Sequence, residues 1–447
     1  MRGRRKEHRS GCLDEDGEAC VGMSVIAWLD TSPEEQRRRR EVLRLFEQHE
    51  SRDELGLGQV RDVLSDALFP GFSVLHTRAR YYLFIPWCFQ AVGDSSDRAA
   101  RVGRTERVLA DTLARTQAPR SGVIGARTGP TVKTLPSAIY WSGLRTFGVL
   151  TRDVAPSQVT GAVTSDAEAD ELVGRSLGDW HPTLPAAPRG FPREVDGGFD
   201  LTRDEATWLR ERMVEGAGDT LLGHLVRLGR APEQGSVTPW SDPLAVSVAG
   251  GEAAAGLRHA EVFSRVMHGA SMLYLMLVAE AYASAGFADD AFSIEPYRQR
   301  LKWRVDGVDR RNLLDGWSSF AFWTYVLARN PRIGPRTRAF VDDWLDIVRS
   351  GRLPDILDDH SDLARRSRTL VGRRERTLKA GQSRLVNRRL LQTWSPADIG
   401  RQGLRETPPS TPQVTFTYRW ANVRAVLRDI VDGLERGREL GPDDVRT

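Results

Sequence analysis

The stretch Gly269-Ala-Ser-Met-Leu-Tyr-Leu-Met-Leu-Val-Ala279 is apolar all round and ends at Glu280. A helix with no polar face needs neighbours on every side, and this one is too short to cross a bilayer. It therefore reads as a helix buried in a protein core, and the rest of the chain has to supply what covers it.

Most of the chain carries helical spacing. Ser32-Pro-Glu-Glu35 is a helix start, with Pro suited to the first turn and Glu35 able to reach back to the cap, so a helix is expected over Pro33 to Gln48 with Arg37 to Arg40 on its outer face. Val60, Val63, Leu64, Ala67 and Leu68 predict a second over Gly58 to Leu68, ended by Pro70-Gly71. Thr77-Arg-Ala-Arg-Tyr-Tyr-Leu-Phe-Ile-Pro-Trp87 is too apolar for a surface and reads as core with a kink at Pro86. Further helices are expected over Asp97 to Thr116, from Pro136 to about Leu144, over Leu257 to Ala285, Arg310 to Ala328 and Pro335 to Arg349. Thr202-Arg-Asp-Glu205 repeats the capping-box pattern ahead of Trp208, Leu209 and Met213. Trp420, Val423, Val426, Leu427, Ile430, Val431 and Leu434 form one stripe of a last helix, with Arg424, Arg428 and Asp429 off it. Only Val414-Thr-Phe-Thr-Tyr418 alternates as a strand does. The fold class is thus mainly α: a multi-helix globular protein with at most a few short strands.

At 447 residues the chain exceeds what one core usually fills. The expected organisation is a leader over 1–22, a helical domain over 23–177, a Pro/Gly-rich linker over 178–200, a central helical domain over 201–350 and a basic helical region over 351–447. The leader holds charges of both signs and no apolar core of a secretory signal, and Met23 reads as the natural start. Cys12, Cys20 and Cys88 are expected to build neither a disulfide framework nor a four-ligand zinc site, which points to a reducing cytoplasm.

Local catalytic signatures are missing. Gly56-Leu-Gly58 lacks the third glycine of a dinucleotide fingerprint, and no Gly-Lys-Ser/Thr occurs. His259 and His268, nine residues apart on one expected helix, point about 180° from each other and cannot share an ion. No Gly-x-Ser-x-Gly elbow is present, and Cys88 between Trp87 and Phe89 reads as packed and inert. Glu295 to Lys302 holds an acid and a lysine but on helical spacing. No metal or cofactor is expected. A loop containing Gly125, Arg127, Gly129 and Lys133 could cradle an anion with free amides and two cations; a plain turn explains it more simply. Tyr81, Tyr82, Trp87, Tyr140, Trp141, Trp317, Trp323, Tyr325 and Trp420 could stack bases if exposed, but most lie on apolar runs and read as core.

Charge supplies the main lead. Overall the chain is nearly balanced, with 64 Lys+Arg against 60 Asp+Glu. Yet Arg365, Arg366, Arg368, Arg373, Arg374, Arg376, Lys379, Arg384, Arg388 and Arg389 fall in one short segment against a single acid, Glu375. Such a local field suits phosphate backbones, which reward cation number rather than sequence. The bland alternative is a solvated helix paired with acids just upstream, among them Asp355, Asp358, Asp359 and Asp362.

Met23-Ser-Val-Ile-Ala-Trp-Leu-Asp30, the Ser73 to Trp87 segment with its Thr77-Arg-Ala-Arg-Tyr-Tyr core, Leu135-Pro-Ser-Ala-Ile-Tyr-Trp141 and Tyr418-Arg-Trp420 together resemble a bacterial family known as domain of unknown function 6361, from Met23 to about Leu434. The resemblance brings no activity or catalytic residue. It implies companionship with helicases and nucleases in mobile-element or phage-defence clusters. The leading expectation is a non-enzymatic, cytoplasmic accessory protein that binds DNA or RNA, or a nucleoprotein partner such as a helicase or nuclease, with no membrane involved. A nuclease-type enzyme with scattered carboxylates and a protein-only scaffold are the alternatives.

Overall fold

The computed structural model of the chain describes residues 55–93, 97–117, 121–125, 134–159, 178–288, 292–309, 312–378, 381–392 and 416–436, without the side chains at 303 and 306–309. Within them lie fourteen α-helices and no strand; β-type pairing is confined to one isolated antiparallel bridge between Leu150 and Trp180. The fold is mainly α, as the spacing predicts. The expected helix over 33–48 and the leader lie outside the described residues.

Helix α1 (Gly58–Leu68) buries the five expected apolar positions except Ala67, which is half-buried. Helix α2 (Tyr81–Gln90) keeps Pro86 inside it and is buried along nearly its whole length, so that α3 (Arg98–Thr116) and α4 (Pro136–Thr146) pack around it. Helix α5 (Arg203–Ala217) opens with the capping box read from the sequence: the Glu205 amide donates to the Thr202 hydroxyl at 3.2 Å and the Thr202 amide donates to the Glu205 carboxylate at 2.9 Å. Short helices α6 (Leu221–Leu228) and α7 (Pro243–Val248) follow.

Helix α8 (Gly251–Ser284), 34 residues, contains the apolar run and is longer than its spacing predicts. By length and composition it could cross a membrane; 83% of its apolar window is buried inside the fold. It is covered by α1, α9 (Glu295–Asp309), α11 (Pro335–Arg349) and α12 (Asp362–Leu378). Gly269 is one point of close approach: a Cβ there would lie 3.1 Å from the indole of Trp344, whose Nε1 donates to the Val266 carbonyl at 3.0 Å.

Three expectations change. The helix foreseen over Arg310 to Ala328 begins only at Ser319, as α10 (Ser319–Arg329), because Asn312 and Gly316 hold left-handed backbone at φ 44° and 67° and Ser318 then caps the start. The basic segment is not one helix. It breaks after α12 at Gly381, φ 76°, and resumes as the five-residue α13 (Arg388–Gln392). Of the alternating stretch at 414–418, the described residues 416–418 form no strand; the Ser264 hydroxyl brackets Phe416 at 2.9 and 3.1 Å, and the Tyr418 hydroxyl donates to the Ala260 carbonyl at 2.9 Å. Side-chain anchors replace a ladder there, and left-handed Tyr418 and Arg419 turn the chain into α14 (Trp420–Glu435).

Helix α14 lies on α5 with its apolar stripe inward, and Gly433 lets the backbones approach, since a Cβ there would stand 2.7 Å from that of Ala206. Asp429, expected off the buried stripe, instead faces inward. It takes a bidentate contact from Arg78, at 2.9 Å each, and the Ala79 amide at 2.8 Å. Burial lifts its carboxyl above the usual range, with Arg78 and the amide pulling the other way. Arg80, two residues on, reaches Glu205 at 2.9 Å and the carbonyls of Asp196 and Gly198 at 2.8 and 2.7 Å. Buried apolar side chains from Leu55 to Ile430 form one contiguous cluster.

Candidate nucleic-acid interface

Ser361 starts α12 by accepting the Ala364 amide at 2.9 Å. The helix buries Ala364, Ser367, Val371, Gly372, Arg374 and Glu375. At roughly 100° per residue, Arg366, Arg373 and Arg376 then fall within about 80° on the opposite side, with Thr369 between them, and all are exposed.

The cations of the segment separate by what holds them. Arg374, 5% exposed, donates to the carbonyls of Leu55 and Gly56 at 2.9 and 3.2 Å and to the Thr337 hydroxyl at 2.8 Å, with its guanidinium over the Phe340 ring. It joins α12 to α11 and to the chain ahead of α1. Arg384 is buried as well. Arg368 forms two bonds to Glu280, at 2.6 and 3.1 Å, and one to Asp359 at 2.7 Å. The Arg298 bond, with help from Arg368, holds the Asp359 carboxyl below its ordinary range. Arg365 pairs with Asp362 one turn back, and Arg388 donates to the Ala285 carbonyl at 3.0 Å while lying over Phe287. Arg366, Arg373, Arg376 and Arg389 remain exposed with no acidic partner among the described residues. Lys379 lies outside the described residues.

The acids upstream are already engaged. Asp355 takes Arg352, Asp359 takes Arg298 and Arg368, Asp362 takes Arg365, and Asp358 accepts the His360 amide. Glu375, the one acid inside the segment, is fully buried. It accepts the Ser383 hydroxyl and, at 2.7 Å, the Arg384 amide, so it fastens the turn after α12 instead of neutralising the outward arginines.

The other candidates come out differently. Of the anion-cradle residues only Gly125 is described; Arg127, Gly129 and Lys133 are outside the described residues, and the neighbouring Ile124 amide donates to the Tyr81 hydroxyl at 3.0 Å. Tyr81, Tyr82, Trp87, Tyr140, Trp317 and Trp420 are core, and Trp141, Trp323 and Tyr325 are half-buried. His259 accepts the Trp317 indole N–H at 3.0 Å, and burial lowers its pKa. Burial likewise pushes the Cys88 thiol up. Glu295 and Lys302 are both exposed on α9. Among the described residues no three His, Cys, Asp or Glu side chains are placed to hold a metal ion. A shallow polar depression includes Arg145 and Arg152 in its lining, and these are paired with Asp153 and Asp179.

The long-range pairs Arg78–Asp429 and Arg80–Glu205 escape sequence reading because they join residues more than a hundred positions apart. The usable signal was small: two arginines in an otherwise apolar run must each find a buried acceptor.

No curated protein and no solved structure matches the chain. Residues 23–405 match a family described as a family of unknown function, DUF6361. The matched stretch includes the Thr77 to Trp87 segment, α12 and α13, and stops short of α14. By that match, which takes in most of its length, the chain belongs to the DUF6361 family.

Proposed function

We propose that this chain is a non-enzymatic accessory protein that binds the phosphate backbone of nucleic acid through Arg366, Arg373, Arg376 and Arg389, and that it works in the bacterial cytoplasm beside a helicase or nuclease, in a phage-defence or mobile-element setting. One observation carries the reading: the nearby acids are spent on other arginines, buried or, in Asp358, turned to a backbone amide, and none of them pairs with the exposed arginines of α12. Guanidinium groups suit phosphate, offering forked donors to its oxygens. A short array of cations on a rigid, anchored helix favours backbone contact over base reading.

The test is a filter-binding titration of the pure protein against DNA and RNA over a range of salt. Each phosphate neutralised contributes about 0.9 to the slope of log affinity against log salt on a duplex. Replacing Arg366, Arg373 and Arg376 together by Ala is expected to reduce that slope by about 2 to 3 and to weaken all sequences alike. Affinity insensitive to salt, or unchanged in the triple variant, overturns the reading. Magnesium-dependent cleavage by the pure protein replaces it with the nuclease reading.

A further inference from the structure

We infer that the ligand of the α12 face is a double helix gripped by its backbone, in preference to a single strand; this rests on reading that face as a phosphate-binding one.

Single-strand binders combine a cationic track with aromatic rings on which bases stack, and stacking contributes about 1–3 kcal/mol per base. Among the described residues the α12 face has the first part without the second. Between its arginines stands Thr369, with Thr377 at the edge of the arc. Among the described residues, the rings that pack beside the segment's own arginines or on α11 are turned inward or occupied: Phe340 lies under the Arg374 guanidinium and is 3% exposed, Trp344 is 1% exposed, and Arg388 covers Phe287 with its guanidinium 5.3 Å from the ring centre. Among the described residues one Phe, Tyr or Trp side chain is exposed, Phe320, and it belongs to α10; the imidazole of His360, ahead of α12, is the exposed ring closest to it in sequence. The face also lacks Asn and Gln on its exposed arc, the amides that read base edges in pairs.

A surface limited to charge should prefer the ligand with the greater charge density. Arg366 and Arg376 are ten residues apart on one helix, a rise of about 15 Å. Over that distance a duplex presents roughly nine phosphates, one per 1.7 Å, and one strand in the same geometry roughly four. The counterions released per contact are also more numerous, about 0.9 against about 0.7. Arginine can also read guanine edges, so the expected indifference to sequence holds with the guanidinium groups engaged on phosphate.

Fluorescence anisotropy with a short mixed-sequence DNA duplex, each of its separated strands and a scrambled duplex decides the matter, using the full chain and its R366A/R373A/R376A variant. The expected result is several-fold tighter binding of duplex than of either strand, a steeper salt dependence for duplex, equal affinity for the scrambled duplex, and loss on all probes in the variant. Equal or tighter binding of a separated strand, still lost in the variant, overturns the duplex inference while leaving the phosphate-binding reading standing. No binding of any probe, or full binding by the variant, overturns both. If the alanine variant misfolds by circular dichroism, the corresponding glutamine variant keeps the side-chain bulk and gives the same comparison.

Discussion

Arg80 and Glu205 meet at 2.9 Å with side chains only 3% and 9% exposed, and the same carboxylate closes the capping box of α5 through its other oxygen. A local helix-start signal is thereby also a long-range tie, fixing the start of α5 against the residue that caps α2.

Removing one member of that pair strands a buried charge. Arg80→Ala or Glu205→Ala is expected to cost about 3–5 kcal/mol, measured as a lower urea midpoint at unchanged slope. Glu205→Gln, which can still accept the Thr202 amide, should cost less. A Glu205→Ala variant within experimental error of wild type would show that the pair is not an anchor.

His76 gives the pH dependence a direction. Its Nε2 lies 3.2 Å from the Ile139 carbonyl, so that nitrogen carries the proton, and Nδ1 accepts from the Tyr82 hydroxyl. Full burial holds its pKa down at about 3, the Ile139 contact opposing. The unfolded chain takes up a proton below about 6.5 and the folded chain does not. Stability contributed by this site is therefore complete above that pH and falls by about 1.4 kcal/mol per unit as the pH drops from 6.5 toward 3. The difference in slope between wild type and His76→Gln in urea melts over that window measures it; parallel slopes would refute the assignment.

Within one basic segment, two classes of arginine should behave oppositely. Arg374→Ala removes donors from the buried Leu55 carbonyl and the half-buried Gly56 carbonyl and is expected to lower the melting temperature by several degrees. The Arg366, Arg373 and Arg376 replacements should each change stability by less than about 0.5 kcal/mol. Differential scanning calorimetry on the four single variants is sufficient, and equal losses across them would erase the distinction.

Gly216 faces the turn after α4. A Cβ there would stand 2.2 Å from the Thr146 carbonyl oxygen and 2.6 Å from the Phe147 Cα, both backbone atoms that cannot swing aside. Gly216→Ala is expected to destabilise by about 1–3 kcal/mol in spite of alanine's better helix propensity. A stabilised variant would mean that α5 can slide.

Much of the helical layout was legible because caps and apolar spacing act over a few residues: Pro335 starts α11 and Thr202 with Glu205 starts α5 as their local chemistry dictates. Helix lengths failed where backbone conformation decided the matter, as at Asn312 and Gly381. Half of the site was legible too. Counting charges located the basic segment, but a count cannot tell Arg374, swallowed by carbonyls, from Arg373 beside it, nor show that Glu375 points away from every outward arginine. That sorting depends on where α11 and the chain ahead of α1 come to rest.

Asp429 and its partners Arg78 and Ala79 are 351 and 350 positions apart. On a ribosome adding about 5–20 residues per second, the arginine waits some 20–70 s before its carboxylate has been made. Until then the nascent chain holds the Ala79 amide and the Arg78 guanidinium without their native acceptor, in a segment otherwise bound for the core. Closure of this tie is thus delayed until α14 has been made, and that interval is when a chaperone would have most to cover.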